Sequence, residues 1–214
     1  MFGYEGLGCI YWHMVSKLLL AVQENYQQAW VELGNCDKTK QLGEFYYRVR
    51  EGIGFNKTPE VYGAFPTDPY SHTPKQAGAQ QPGMTGQVKE EVITRFGELG
   101  ITVTDGEIQI TPNLLSEKEF LTEPVAFEYF DLQGKANRID VNVGSLAFTL
   151  CQVPFVYTLS EEQHDVSLTV ELTNGPTIEK VSNMIPENLS KHIFDRSGQV
   201  KAVYVTIPAE KLVI

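Results

Sequence analysis

The sequence predicts an α+β protein in which helices occupy the first hundred residues and an antiparallel β-structure occupies the rest. Two observations predict this class. Apolar residues recur every three or four positions up to about residue 100, as in helices, and every second position beyond it, as in strands. The acidic charge changes at the same point, with 9 basic and 11 acidic side chains in residues 1–100 against 8 and 16 in residues 101–214. We therefore predict two domains, residues 1–100 and residues 101–214.

Helical spacing in the first domain predicts three helices. The first covers about residues 9–30 and is apolar over most of its circumference, so it requires partners on several sides. The second covers about residues 38–51, with Asp37 as its cap, and the third begins at Thr85 and ends before Gly100. Because the first helix has only two predicted partners, we expect part of its surface to form an interface.

The second domain is predicted to be an antiparallel β-sandwich. The dipeptide Asp105-Gly106 separates two short alternating runs, which predicts a hairpin with a type I′ turn. Six further runs have the alternation or the apolar character of strands: residues 125–130, 138–143, 146–150, 153–159, 166–172 and 201–207.

Composition disfavours several classes of protein. A hydrophobic content of 42% and a charged content of 21% indicate a globular chain. The net charge of −10 disfavours nucleic-acid binding, which depends on clustered cations, and no apolar run reaches the roughly 20 residues of a membrane span. The three cysteines form no Cys-x-x-Cys pair, so we predict neither a metal site nor a disulfide framework, and we expect a reducing, cytoplasmic location.

Two features near helix starts suggest a ligand. His13 lies on an otherwise apolar helix, where it either points into a pocket or is a hydrogen-bonded core residue. The segment Pro82-Gly83-Met84-Thr85-Gly86 opens the third helix, where free backbone N–H groups can bind an anion, or where Thr85 is a plain cap. The pair Glu90-Glu91 also lies near this helix start, and we expect it on a solvated face.

A segment of about thirty residues, 55–84, joins the second and third helices and contains five prolines. Segments of this length are uncommon and tend to be functional or disordered. This one combines aromatic rings with polar groups, as a sugar site does, although a rigid packing loop would have the same composition. Its candidate sugar-binding residues are Asp68, Tyr70, His72, Gln80 and Gln81.

The order of these segments resembles the carboxyl-terminal part of the cellobiose-phosphorylase-type glycoside phosphorylases and their six-hairpin glycosidase relatives. Gly8-Cys9-Ile10-Tyr11-Trp12-His13 is similar to that family's Gly-Gly-Val-Tyr-x-His segment, and Thr85-Gly86 to its Thr-Gly pair. Leu99-Gly100-Ile101 followed by residues 106–112 is similar to its passage into the sheet domain. The resemblance implies that the chain holds the last helices of an (α/α)6 barrel followed by a β-sandwich.

The resemblance also implies a function. His13, Thr85 and Gly86 would bind inorganic phosphate as a co-substrate, and Tyr11 would join the sugar-binding residues; no other cofactor is implied. The family's general-acid aspartate lies upstream of any segment that matches here, so we assign no catalytic residue and expect this chain alone to be inactive.

The expected whole protein acts on the glycosidic bond of an oligosaccharide or glycoside, by phosphorolysis or by hydrolysis. Its expected partners are that sugar and the remainder of the helical barrel or a partner chain, with no nucleic acid and no membrane. The alternative is a non-catalytic module that binds carbohydrate or docks on a partner.

Overall fold

The structure, a computed structural model, describes residues 6–52, 87–180 and 182–212. Its mixed helix and sheet content confirms the α+β class. The chain divides into two compact units, Met1–Gly97 and Glu98–Ile214. We call them the helical unit and the sheet unit.

The helical unit contains α1 (Gly6–Leu33), α2 (Asp37–Gly52) and α3 (Gln87–Glu98) in its described part, with Glu98 the first residue of the sheet unit. Gly34 ends α1, because its φ of +67° suits glycine and its N–H donates to the carbonyl of Trp30 at 2.9 Å. Asp37, predicted as the cap of α2, is instead its first residue.

The start of α2 is closed by Cys36 and Thr39. The N–H of Cys36 donates to Thr39 Oγ1 at 2.9 Å, and Thr39 is fully buried. The backbone N–H of Thr39, together with its hydroxyl, lowers the pKa of the Cys36 thiol. This reciprocal arrangement satisfies backbone groups that a helix start leaves without partners.

Contacts between side chains, together with one short connection, give the directions of the three described helices. Gln23 of α1 donates from its amide to the carbonyl of Thr94 in α3 at 2.7 Å and contacts the hydroxyl of Tyr46 in α2 at 3.4 Å. A second α1–α3 contact joins Lys17 to Glu90 at 3.1 Å. Residue numbers rise together in the two α1–α3 contacts, so α1 and α3 run parallel. The three-residue connection from α1 makes α2 antiparallel to it.

Large apolar side chains remain exposed on each of these helices. They are more than a third accessible to solvent, and Val31 reaches 84%. The set comprises Met14, Leu18, Val31 and Leu33 on α1, Phe45 on α2, and Val92, Ile93 and Phe96 on α3. This agrees with the expectation that α1 needs more cover than two helices provide.

The sheet unit contains ten strands within the described residues. They are β1 (Ile101–Thr104), β2 (Glu107–Ile110), β3 (Val125–Phe130), β4 (Ala136–Val141), β5 (Ser145–Leu150), β6 (Val153–Ser160), β7 (Ser167–Leu172), β8 (Ile178–Lys180), β9 (Met184–Ile185) and β10 (Val200–Pro208). The unit also holds a helix that the sequence did not predict, α4 (Glu187–Phe194).

These strands form three sheets, one of which is mixed. The order is β1-β2-β9 in one sheet, β5-β6-β10-β7-β8 in another, and β3-β4 form a hairpin. The expectation of a purely antiparallel domain is wrong for one pair, because β10 runs parallel to β6. The reason is the chain path: β10 enters between β6 and β7, which run in opposite directions, so it must be parallel to one of them.

The core of the sheet unit lies on one face of the five-stranded sheet. Phe155, Tyr157, Val203 and Val205 point into it from the central strands β6 and β10. They share a single buried cluster with residues of β2, β9 and α4, namely Ile108, Ile110, Ile185, Leu189 and Ile193. The opposite face of this sheet, which we call the outer face, therefore presents the alternate residues of each strand.

Two turns position the start of this unit. Asp105 and Gly106 have φ angles of +51° and +81°, which confirms the predicted type I′ hairpin between β1 and β2. Gly100, between α3 and β1, has a φ of +70°, and a Cβ atom there would lie 2.2 Å from the backbone of Thr111. A side chain is therefore excluded at this junction by both conformation and space.

Candidate functional site

The predicted site residues fall at the margin of the described structure or outside it. Tyr11 and His13 belong to α1, whose side chains are described from Met14 onward. The remaining seven lie outside the described residues: Asp68, Tyr70, His72, Gln80, Gln81, Thr85 and Gly86. Their phosphate-binding and sugar-binding roles stay predictions.

An ion pair with one buried partner lies close in the sequence to several of these positions. Lys17 lies one turn after His13 on α1, and Glu90 lies in the first turn of α3, shortly after Gly86 in the sequence. Lys17 Nζ contacts Glu90 Oε1 at 3.1 Å, with the Glu90 side chain only 2% exposed and that of Lys17 58% exposed. The expectation that Glu90 lies on a solvated face is therefore wrong. Packing of α3 against α1 buries the carboxylate of Glu90. This burial could not be predicted from the position of Glu90 near a helix start.

Further polar side chains are buried in the helical unit. Ser16 and Gln23 of α1 and Thr94 of α3 are each less than 5% exposed, and Arg50 of α2 is 7% exposed with its guanidinium 5.4 Å from the ring of Tyr47. Buried polar groups are costly unless they are hydrogen-bonded, and Gln23 meets this need through its two partners. We call Ser16, Lys17, Gln23, Glu90 and Thr94 the polar seam.

The polar seam has a definite chemical character. It contains one buried carboxylate, one partly exposed ammonium group and neutral hydrogen-bonding groups. Near it, burial raises the pKa of Tyr26 far above its usual value, so this phenol stays protonated. No sequence signal pointed to Glu90 as the partner of Lys17.

A groove also runs between α1 and α2. It has a volume of about 400 Å³ and is lined by Val22, Asn25, Gln28, Ala29, Glu32, Leu42 and Phe45. Its apolar part continues the exposed apolar residues of these helices.

A second cluster, which the sequence did not predict, lies on the outer face of the five-stranded sheet. Glu171 of β7 accepts a hydrogen bond from Lys201 Nζ at 2.5 Å and one from the hydroxyl of Tyr204 at 3.5 Å. Tyr129 of β3 interacts electrostatically with Glu171 and Lys201. We call Tyr129, Glu171, Lys201 and Tyr204 the tyrosine patch.

Two other kinds of feature, a metal site and a membrane-spanning helix, are not found in the part of the chain that the structure describes. Within residues 6–52, 87–180 and 182–212, no group of three or more histidine, cysteine, aspartate or glutamate residues is placed to hold a metal ion. In the same part of the chain, no helix combines the length and apolar character that crossing a bilayer requires.

No protein-family model matches the sequence, and no curated protein matches it significantly.

Proposed function

We propose that this chain is the carboxyl-terminal part of a carbohydrate-active protein that cleaves glycosidic bonds, by phosphorolysis or by hydrolysis. The observation that carries the proposal is the arrangement of the described helices. An antiparallel pair, α1 and α2, is followed by α3 parallel to α1, and a sheet unit comes next. In an (α/α)6 barrel successive helices alternate in direction, so helices of one layer run parallel, as α1 and α3 do. In the resembling family that barrel precedes a β-domain.

The exposed apolar residues support the barrel as the setting of these helices. Exposed apolar patches on soluble proteins usually mark an interface. On α1 they lie towards both ends of the stretch whose side chains are described, at Met14 and Leu18 and at Val31 and Leu33. Neighbouring barrel helices would cover them.

The Lys17–Glu90 contact supports the proposed phosphate site. It brings the His13 end of α1 beside the start of α3, and in the sequence Thr85 and Gly86 directly precede that start. A histidine and a helix start are groups that bind phosphate, whereas the ammonium group of Lys17 is already paired with Glu90.

Calorimetric titration of the chain with inorganic phosphate tests this site. We expect binding by the unaltered chain and at least about tenfold weaker binding in His13→Ala and in Thr85→Ala. His164→Ala is the matched control, because His164 is an exposed histidine of the sheet unit. Equal affinity in all four proteins would remove the phosphate role.

An activity assay tests the assignment of chemistry. We expect no cleavage of oligosaccharides by this chain with or without phosphate, because the resemblance assigns the general acid to helices that match nothing here. Cleavage that a single substitution in this chain abolishes would show that its own residues supply the acid, and would overturn that assignment.

A further inference from the structure

We propose that the tyrosine patch on the outer face of the five-stranded sheet binds an uncharged oligosaccharide. The position and chemistry of the patch come from the geometry of the sheet unit. The choice of a sugar among uncharged polar ligands rests on the proposed function.

The aromatic part of the patch offers apolar surface to a ligand. Tyr204 lies on the central strand β10 and keeps 36% of its surface exposed, whereas Val156 and Ala202 on the same face are 6% and 1% exposed. Tyr129 is half-buried, and its ring lies nearly parallel to that of Phe127, with an interplanar angle of 13° and a centroid distance of 5.9 Å. Tyrosine rings can pack against the C–H faces of a sugar while the tyrosine hydroxyls remain in contact with water.

The polar part of the patch offers both donors and acceptors. The carboxylate of Glu171 accepts from Lys201 and Tyr204, and it remains 30% exposed beside the 59% exposed ammonium group. Sugar hydroxyls donate and accept, so they can bond to both partners of this pair. Because the two charges cancel, the patch favours an uncharged ligand over an ionic one.

The patch is held by rigid elements. Thr169 of β7 lies opposite Tyr204 in the antiparallel β7–β10 ladder, and Val156 of β6 lies opposite it in the parallel ladder. Side chains on a paired central strand lose little further freedom on binding, which reduces the cost of recognition. An exposed ion pair contributes only about 0–1 kcal/mol to stability. The Lys201–Glu171 pair is therefore not explained by a contribution to stability alone.

The hairpin β3-β4 gives the patch one wall. Phe127 and Val125 of β3 line a cavity of about 180 Å³ together with Leu146 and Ala147 of β5. The start of the hairpin thus lies near β5, whereas Tyr129 further along β3 interacts with residues of β7 and β10. A ligand on Tyr204 would meet Tyr129 at its side as well as the sheet beneath it.

Affinity electrophoresis of the full chain through gels containing one soluble polysaccharide each tests the proposal. The probes are β-glucan, α-glucan, xylan, mannan and, as the charged comparison, polygalacturonate. We expect at least one uncharged polysaccharide to retard the chain, with affinity falling at least about tenfold in Tyr204→Ala and in Glu171→Gln. Phe130→Ala is the matched control, because Phe130 is 65% exposed and alternates to the other side of β3.

Three outcomes would overturn the proposal: no retardation by any uncharged polysaccharide, retardation by polygalacturonate alone, or equal retardation of all variants. Far-UV circular dichroism shows that each variant is folded, and Tyr204→Phe, which keeps the ring, should retain most of the affinity. Phosphate binding through His13 is measured separately. If the chain binds phosphate but no polysaccharide, only this inference is contradicted. If it binds polysaccharide through the tyrosine patch but no phosphate, the proposed function is contradicted.

Discussion

At the scale of one residue, Gly97 leaves space for the buried side-chain amide of Gln23. Adding a side chain at Gly97 tests whether this space is required. A Cβ atom at this position would lie 2.2 Å from Gln23 Oε1. Replacing a helical glycine with alanine normally gains about 1 kcal/mol, but displacing a buried, hydrogen-bonded amide costs about 1–3 kcal/mol. We expect Gly97→Ala to lower the free energy of unfolding by about 1 kcal/mol, measured by urea denaturation with helical circular dichroism.

The double variant Gly97→Ala/Gln23→Ala separates the clash from other effects. Once Gln23 is shortened, the added methyl group has space, so the penalty of Gly97→Ala should vanish or change sign. The same penalty in both backgrounds would show that Gln23 is not the cause.

A comparison of alanine substitutions at Gly100 and Gly144 distinguishes the cost of a left-handed backbone from the cost of a steric clash. Their φ angles are +70° and +72°, but a Cβ atom at Gly144 would meet nothing within 4 Å, whereas one at Gly100 would lie 2.2 Å from the backbone of Thr111. Gly144→Ala should therefore cost about 1–2 kcal/mol, the left-handed penalty alone. Gly100→Ala should cost at least about 2 kcal/mol more, since a backbone must move. Equal changes in the urea midpoint of the two variants would contradict the crowded junction.

At the scale of elements, one buried hydroxyl links α4 to two strands in addition to its apolar contacts. Ser190 donates to the carbonyl of Ile185 at 2.8 Å and accepts from the N–H of Ile108 at 3.0 Å, so it joins α4 to β9 and β2. Ser190→Ala removes that acceptor from a buried N–H group, and we expect a loss of about 1–3 kcal/mol. The comparison is Ser197→Ala, an exposed serine after α4 whose loss should change stability by less than about 0.5 kcal/mol. Thermal unfolding of both variants measures the difference. Similar melting temperatures would show that the Ser190 hydroxyl does not stabilise the link between α4 and the strands.

Elements with a strong local pattern were predictable, and elements without one were not. The turn Asp105-Gly106 and the alternating run of β7 were found because their residues determine local conformation. Helix α4 was missed because eight residues after Pro186 give too few turns for a periodic pattern. The parallel partner of β10 was also missed, because local alternation states which residues face the core but not which strand lies beside them.

At the scale of the whole molecule, the exposed apolar residues of the helical unit should promote association. We expect sedimentation velocity to show species larger than the 24.0 kDa monomer at micromolar concentration. The triple variant Leu18→Gln/Val31→Gln/Phe45→Gln should shift the chain towards the monomer, because it removes apolar surface from α1 and α2.

The control for association changes apolar residues of similar exposure in the sheet unit, Val103→Gln/Val143→Gln/Phe130→Gln. It should leave the association unchanged. A monomeric unaltered chain, or an equal effect of both triple variants, would contradict an interface on the described helices.

Little of the candidate sites could be predicted at this scale, because they depend on contacts between distant segments. Lys17 and Glu90 are brought together by parallel packing of α1 and α3, which neither helix encodes alone. Glu171 and Tyr204 are neighbours because β7 lies beside β10 in the sheet, whereas Tyr129 comes from the separate hairpin β3-β4. The sequence could identify His13 and Thr85 only through resemblance, and they stay predictions.

The parallel pairing of β6 and β10 has a consequence for synthesis of the protein. The ribosome produces β5, β6, β7 and β8 before β10, yet β10 separates β6 from β7 in the finished sheet. Until it emerges, the nascent chain holds two hairpins, each with an unpaired edge where the central strand belongs. Such edges pair readily with other chains, so this interval of translation is when the sheet unit most needs a chaperone.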